Sequence, residues 1–222
     1  MGKLIDLTAV DGFTLSAYRA DPDGTPRGGL VVAQEIFGVN SHIRAVCDGF
    51  AAEGYVALAP ALFDRYEHGV DIGYTPEDIA KGRELKGHAQ TDAALGDITA
   101  ARDALAGVAK IGIIGYCWGG FIAWMAASRI PGFACAAPYY GGGILGAVDE
   151  RPKCPVMAHF GERDSVLPVD GVRKFAAAQP DVQVFIYAAD HGFNCDQRGS
   201  YDAPAAKLAR ERTLQFLRQH IG

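Results

Sequence analysis

Short apolar runs alternate with stretches of helical periodicity along nearly the whole chain. Residues 4–8 and 13–18 alternate apolar and polar about Asp11-Gly12, which predicts a hairpin at a sheet edge. Residues 29–33 form a continuous apolar run, as expected of a strand buried on both faces. Residues 42–53 then place Ile43, Val46, Cys47 and Phe50 on one helical face, with Gly54 as the stop. A strand is expected at 55–60 and a loop rich in charge and aromatics at 61–76. Thr75-Pro76-Glu77-Asp78 opens a polar helix to about residue 86, because proline suits a first turn and acids suit its dipole. Thr91 is expected to cap a helix carrying Leu95, Ile98, Ala101 and Leu105, closed by Gly107. Beyond it, strands are read at 111–116, 133–140, 155–160 and 182–187, and helices at 118–125, 169–178 and 204–220. Strand and helix alternate with no linker or repeat, so residues 1–222 are expected to form one α/β domain with a mainly parallel sheet flanked by helices on both faces.

Composition narrows the picture. Of 222 residues, 49% are hydrophobic, enough for a sizeable core, and the formal charge of −5 with no basic cluster argues against nucleic acid as a partner. The segment Met1-Gly2-Lys3-Leu4-Ile5-Asp6 has no apolar signal core, and Asp6 spoils a myristoylation match. Cys47, Cys117, Cys135, Cys154 and Cys195 are odd in number and scattered, which suits reduced thiols in the cytoplasm better than a disulfide frame. With no C-x-x-C pair and no H-E-x-x-H run, neither a metal nor a cofactor is expected.

The stretch Ile111-Gly-Ile-Ile-Gly115-Tyr116-Cys117-Trp118-Gly119-Gly120 carries the chemistry. A β-branched run meets a cysteine between glycines, and an apolar helix-forming run follows at once. That is the grammar of a nucleophile elbow, G-x-C-x-G in place of G-x-S-x-G. The following helix would aim its N-terminal amides and positive dipole end at the sulfur, a setting that suits a thiolate. A cysteine in an apolar run is often inert filler, and a charge-free run from 111 to 128 could also suggest a membrane span. Four glycines and the strand-to-helix switch argue against the span.

In open α/β sheets, chemistry gathers beyond the carboxyl ends of the strands. Glu35 lies two residues past the first buried strand, between apolar residues that would partly bury it and let it exchange a proton with a neighbour. The Ile36 amide there is placed to be one oxyanion donor, with the Trp118 amide after the cysteine as the other. Gly161-Glu162-Arg163-Asp164 leaves a strand into a turn. Asp164 is preferred as the acid over Glu162, which is nearer the strand and expected in solvent. Among six histidines, only His191 follows both nucleophile and acid at a strand exit. His159, inside an apolar strand, reads as a satisfied core histidine. The order Cys117, Asp164, His191 is the nucleophile–acid–base order of α/β-hydrolases. Gly141-Gly142-Gly143-Ile144-Leu145-Gly146 satisfies G-x-G-x-x-G, but Pro152 leaves no room for the helix that a pyrophosphate needs; it is read as a loop at the site rim.

Taken together, Gln34-Glu35-Ile36-Phe37-Gly38-Val39-Asn40, Gly115-Tyr116-Cys117-Trp118-Gly119-Gly120, Gly161-x-x-Asp164, His191-Gly192-Phe193 and the 211–217 run resemble the dienelactone hydrolase (carboxymethylenebutenolidase) family over nearly the full length. The resemblance implies an α/β-hydrolase that opens an enol-lactone without a cofactor, in the degradation of aromatic compounds. It implies Cys117 as nucleophile, His191 as base, Asp164 as its orienting acid, and Glu35 as an acid that contacts the resting thiol. It also implies that Arg83 binds a substrate carboxylate. Members of the family carry a second arginine near the place of Asn194-Cys195; here the nearest is Arg198. Cys195 is expected at the site rim, with a packing role.

Three readings follow. The first is a dienelactone-type hydrolase acting through a thioester, and the second a broader carboxylesterase or thioesterase. The third is a non-catalytic ligand-binding or thiol-sensing relative, against which the intact acid and base argue. The expected partner is a small lactone or ester, anionic where it carries a carboxylate. Neither nucleic acid nor membrane is expected, and the chain should be a monomer or a small homo-oligomer.

Overall fold

The computed structural model describes residues 2–222, and all eight of its strands join one sheet. In chain order they are β1 (Lys3–Thr8), β2 (Thr14–Ala20), β3 (Gly28–Ala33), β4 (Tyr55–Pro60), β5 (Ile111–Tyr116), β6 (Cys135–Tyr139), β7 (Met157–Gly161) and β8 (Gln183–Tyr187). Their spatial order is β1-β2-β4-β3-β5-β6-β7-β8. Only β2 runs against the rest: it pairs antiparallel with both β1 and β4, while every pairing from β4 to β8 is parallel. The continuous apolar runs become the central strands. Every residue of β3, β4, β6 and β7 is buried, whereas β8, at the edge, is partly exposed.

Six α-helices are found among the described residues: α1 (Ser41–Ala52), α2 (Pro76–His88), α3 (Thr91–Asp103), α4 (Trp118–Arg129), α5 (Val169–Ala178) and α6 (Ala203–His220). None is long and apolar enough to cross a membrane. Arg210 of α6 reaches the Gly49 carbonyl and Glu53 at the end of α1, so these two helices share one side. On α2, the predicted start is a full capping box: the Thr75 hydroxyl accepts from the Asp78 amide, and the Asp78 carboxylate accepts from the Thr75 amide. Each such cap stabilises the helix by about 1 kcal/mol.

Several boundaries differ from expectation. Thr91 is not the cap of α3; Gln90 stands there with no side-chain bond, and the helix gives way to turns after Asp103 rather than running to Gly107. The strand expected at 133–140 is shorter, because Tyr140 adopts φ of 36° and breaks the extended run. His159 is a satisfied core residue: Nδ1 lies 2.8 Å from the Tyr187 hydroxyl and Nε2 lies 3.0 Å from that of Thr213.

Candidate active site

The carboxyl ends of β3, β5, β7 and β8 open onto one side of the sheet, and four predicted residues leave from them. Cys117 follows β5 with φ of 54° and ψ of −117°, a conformation that costs of order 1–3 kcal/mol and persists only when its surroundings impose it. The surroundings do so through both backbone groups. The Cys117 amide donates to the Tyr139 carbonyl at 3.0 Å, and the Cys117 carbonyl accepts from the Gly120 amide at 3.0 Å and the Gly142 amide at 3.2 Å. A methyl group on Gly115 would overlap the Gly119 carbonyl, and one on Gly119 would overlap the Ala33 and Gln34 carbonyls. Only glycine lets β5, α4 and the exit of β3 approach this closely. α4 begins at Trp118, so its positive end faces the sulfur.

His191 Nε2 lies 3.1 Å from Cys117 Sγ, and His191 Nδ1 lies 2.8 Å from Asp164 Oδ2. Asp164 is 3% exposed, and its other oxygen accepts from the Val166 amide at 2.7 Å and the Leu167 amide at 3.1 Å. The carboxylate is therefore aimed by the backbone before it aims the imidazole. Glu162, the competing acid, is exposed and points away into an ion pair with Arg173. Burial alone would push the His191 pKa down. The hydrogen bonds to Asp164 and Cys117, with the charges behind them, outweigh burial and raise it to about 10. The imidazolium form is thus held between a carboxylate and a sulfur.

Glu35 is fully buried just past β3. Its Oε1 accepts from Arg198 Nη1 at 3.2 Å. The implied contact with the resting thiol is not the arrangement seen: Sγ faces His191, and the carboxylate faces Arg198. The cause is reach. Arg198 folds back from the loop after β8 over the rings of Phe37 and Tyr74, at 5.6 and 5.8 Å, and brings a half-buried cation to Glu35. Arg198, four residues beyond the place where the second arginine was expected, thus reaches the cavity. Cys195 does not lie at the rim as expected. It is fully buried within 4.8 Å of the Glu35 carboxylate, in the turn closed by the Cys195 amide on the Gly192 carbonyl.

A cavity of about 420 Å³ opens above Cys117, and Ile36, Trp118, His191 and Arg198 contribute to its lining. Neither the Ile36 nor the Trp118 amide has a hydrogen-bond acceptor among the described residues, and both residues line the cavity together with Cys117. α2 covers the cavity and supplies Ile79, Arg83 and Lys86 at spacings of four and three residues, one helical face. Lys86 escaped the sequence reading, although its i+3 relation to Arg83 was available. Tyr140 also escaped it: this buried ring, 5.2 Å from that of His191, follows from the end of β6. The glycine loop does reach the rim, where Gly142 and Gly143 line the cavity. A larger open groove of about 820 Å³ adjoins it across Lys86 but contains none of Cys117, Asp164 or His191. Chemistry, not size, picks out the smaller one.

Comparison with known proteins places the chain in a family. A family model described as "Dienelactone hydrolase family" matches residues 15–221. A Synechocystis protein named "Putative carboxymethylenebutenolidase" is 36% identical, covering 93% of this chain and 92% of its own. A carboxymethylenebutenolidase from Pseudomonas putida is 33% identical, covering 96% and 94%. The crystal structure of a Klebsiella pneumoniae protein, described as a "Putative Dienelactone Hydrolase", superposes with a TM-score of 0.86 at 28% identity, covering 99% of this chain and all of that one.

Proposed function

Because the chain belongs to the dienelactone hydrolase family and so hydrolyses ester or lactone bonds, we propose that it opens an enol-lactone carrying a carboxylate, through a thioester on Cys117. The observation that carries this reading is the 3.1 Å approach of His191 Nε2 to Cys117 Sγ, in line with the Asp164 carboxylate and beneath a cavity.

In the first half-reaction the Cys117 thiolate attacks the lactone carbonyl, forming a C–S bond while the carbonyl π electrons move to oxygen. The free Ile36 and Trp118 amides stabilise that oxyanion; losing one such donor costs roughly 3 kcal/mol of barrier. Collapse breaks the ring C–O bond. The enolate so released takes the proton from imidazolium His191 and stays tethered to the acyl group. Water then attacks the thioester, giving its proton to His191. The C–S bond then breaks, and the product leaves as a carboxylic acid that ionises to the carboxylate by releasing its proton to solvent. The thiolate–imidazolium pair is restored. Arg83 and Lys86 on α2 meet the substrate carboxylate, and the apolar walls hold its ring.

A broader carboxylesterase or thioesterase is the second reading, favoured by one observation: the charge of Arg198 is already answered by Glu35. A dienelactone and an uncharged aryl ester, assayed side by side, test the first reading against the second. A kcat/KM at least 100-fold higher for the dienelactone is expected; equal values would sink the carboxylate part of the proposal. Cys117→Ala should abolish turnover of both, and turnover surviving it would remove the thiol mechanism. The five free thiols suit a reducing compartment such as the cytoplasm.

A further inference from the structure

The glycine loop after β6 and one face of α4 border a groove that the hydrolytic cycle does not use. Its volume is about 820 Å³, and it shares Lys86, Gly142 and Gly143 with the cavity above Cys117, so the two spaces meet over one saddle. Phe121 and Arg129 are the two residues of α4 that are not buried, and both line the groove, with Met125 between them. Spacings of four set all three on one helical face. Arg129 turns its charge to Glu150 at 2.5 Å and Asp92 at 3.4 Å, which leaves an aromatic ring and a thioether as an apolar strip. The loop wall is preformed. Trp124 Nε1 donates to the Ala147 carbonyl at 3.0 Å, and Gln179 Nε2 donates to the Val148 and Glu150 carbonyls at 2.6 and 2.8 Å. Glycines hold the space open: Gly143, at φ of 122°, has the Phe121 ring packed against it, and a methyl group on Gly146 would meet no atom within 4 Å.

We propose that this groove is a second substrate subsite, holding an apolar alkyl or aryl arm of an ester whose carbonyl sits at Cys117. Beyond Lys86 the rim carries two cations, Arg129 and Arg151, and two acids, Asp149 and Glu150, so no net charge draws an ionic arm inward. An apolar arm gains up to about fourfold in binding for each methylene it buries against Phe121 and Met125. The inference rests on Cys117 as the nucleophile, and the bonds made and broken are those of the cycle above. The arm adds binding energy remote from the reacting carbonyl. The substrate class thus widens beyond a monocyclic enol-lactone, to esters with a compact reacting end and an extended apolar remainder.

Four substrates place the arm on either side of the ester: p-nitrophenyl acetate and octanoate for the acyl side, ethyl acetate and octyl acetate for the alcohol side. The plug is Gly146→Phe, since Gly146 lies outside the positive-φ region and does not line the cavity above Cys117. It should lower kcat/KM at least about tenfold for whichever long ester the groove receives, with the short esters within about twofold. Phe121→Ala, which removes the floor, should cost the same long ester about tenfold. Circular dichroism checks both variants, and Gly146→Leu replaces a plug that fails to fold. Residual turnover in Cys117→Ala would remove the thiol reading and this inference with it, whereas a silent Cys117→Ala beside an indifferent plug removes the inference alone. The subsite is overturned by a parent that turns over neither long ester, by equal losses on short and long esters, or by long-ester kinetics that either groove substitution leaves untouched.

Discussion

Arg83 and Arg198 both reach the cavity, yet their removal should read out differently. Arg83 is exposed and lies outside the ion pairs found among the described residues, so Arg83→Ala should leave thermal stability unchanged. It should lower kcat/KM for an anionic substrate tenfold or more and spare a neutral ester. Arg198 is the partner of a fully buried carboxylate, and removing it strands a charge, at about 3–5 kcal/mol. Arg198→Ala should therefore lower the melting temperature by many degrees as well as slow turnover; calorimetry of both variants separates them. Asp164→Asn keeps the shape but presents the wrong group to His191 Nδ1, and kcat should fall on the order of 10²–10⁴-fold. If kcat stayed within threefold of the parent, the orienting role would be wrong.

At the scale of the element, α2 is held on the site by one close approach. A methyl group on Gly82 would overlap the Ile36 carbonyl, so the helix backbone lies directly on the segment that carries the proposed oxyanion amide. Alanine is favoured over glycine inside a helix by about 1 kcal/mol, whereas overlap of this kind costs about 1–3 kcal/mol and shifts backbone. Gly82→Ala should then lower kcat/KM about tenfold for neutral and anionic substrates alike, with little change in melting temperature. A variant with parental kinetics would show that α2 can ride higher without harm. The same scale explains what was legible beforehand. The elbow and the Gln34–Asn40 run could be read because their chemistry is local: glycines flank the nucleophile, and strand exits follow from apolar runs. Asp164 and His191 were found through chain order. The pairing of Glu35 with Arg198 joins residues 163 positions apart, and the burial of Cys195 depends on what packs around it. No spacing encodes either. Thr91 failed as a cap because a capping residue type signals a helix start without fixing which residue takes the cap position.

For the whole molecule, two histidines shape the response to pH from opposite sides. His191 is raised to about 10, so its contribution to stability is complete below pH 6.5 and fades as pH rises towards 10. His159 is lowered to about 3, by burial first and by the Arg212 charge second. Its contribution is complete above pH 6.5 and is lost as pH falls towards 3, because only the unfolded chain can take up that proton. Melting temperature should therefore peak near pH 6.5. His191→Gln should flatten the alkaline slope and His159→Gln the acid one; unchanged slopes in both would refute the assignment. α2 carries three side chains of the cavity, yet contributes only Gly82 and Leu85 as buried residues. It behaves as an interchangeable cassette over a permanent reaction platform. Transplanting residues 75–89 from a relative with different appetites should import that relative's selectivity while the sheet and its sulfur stay as they are.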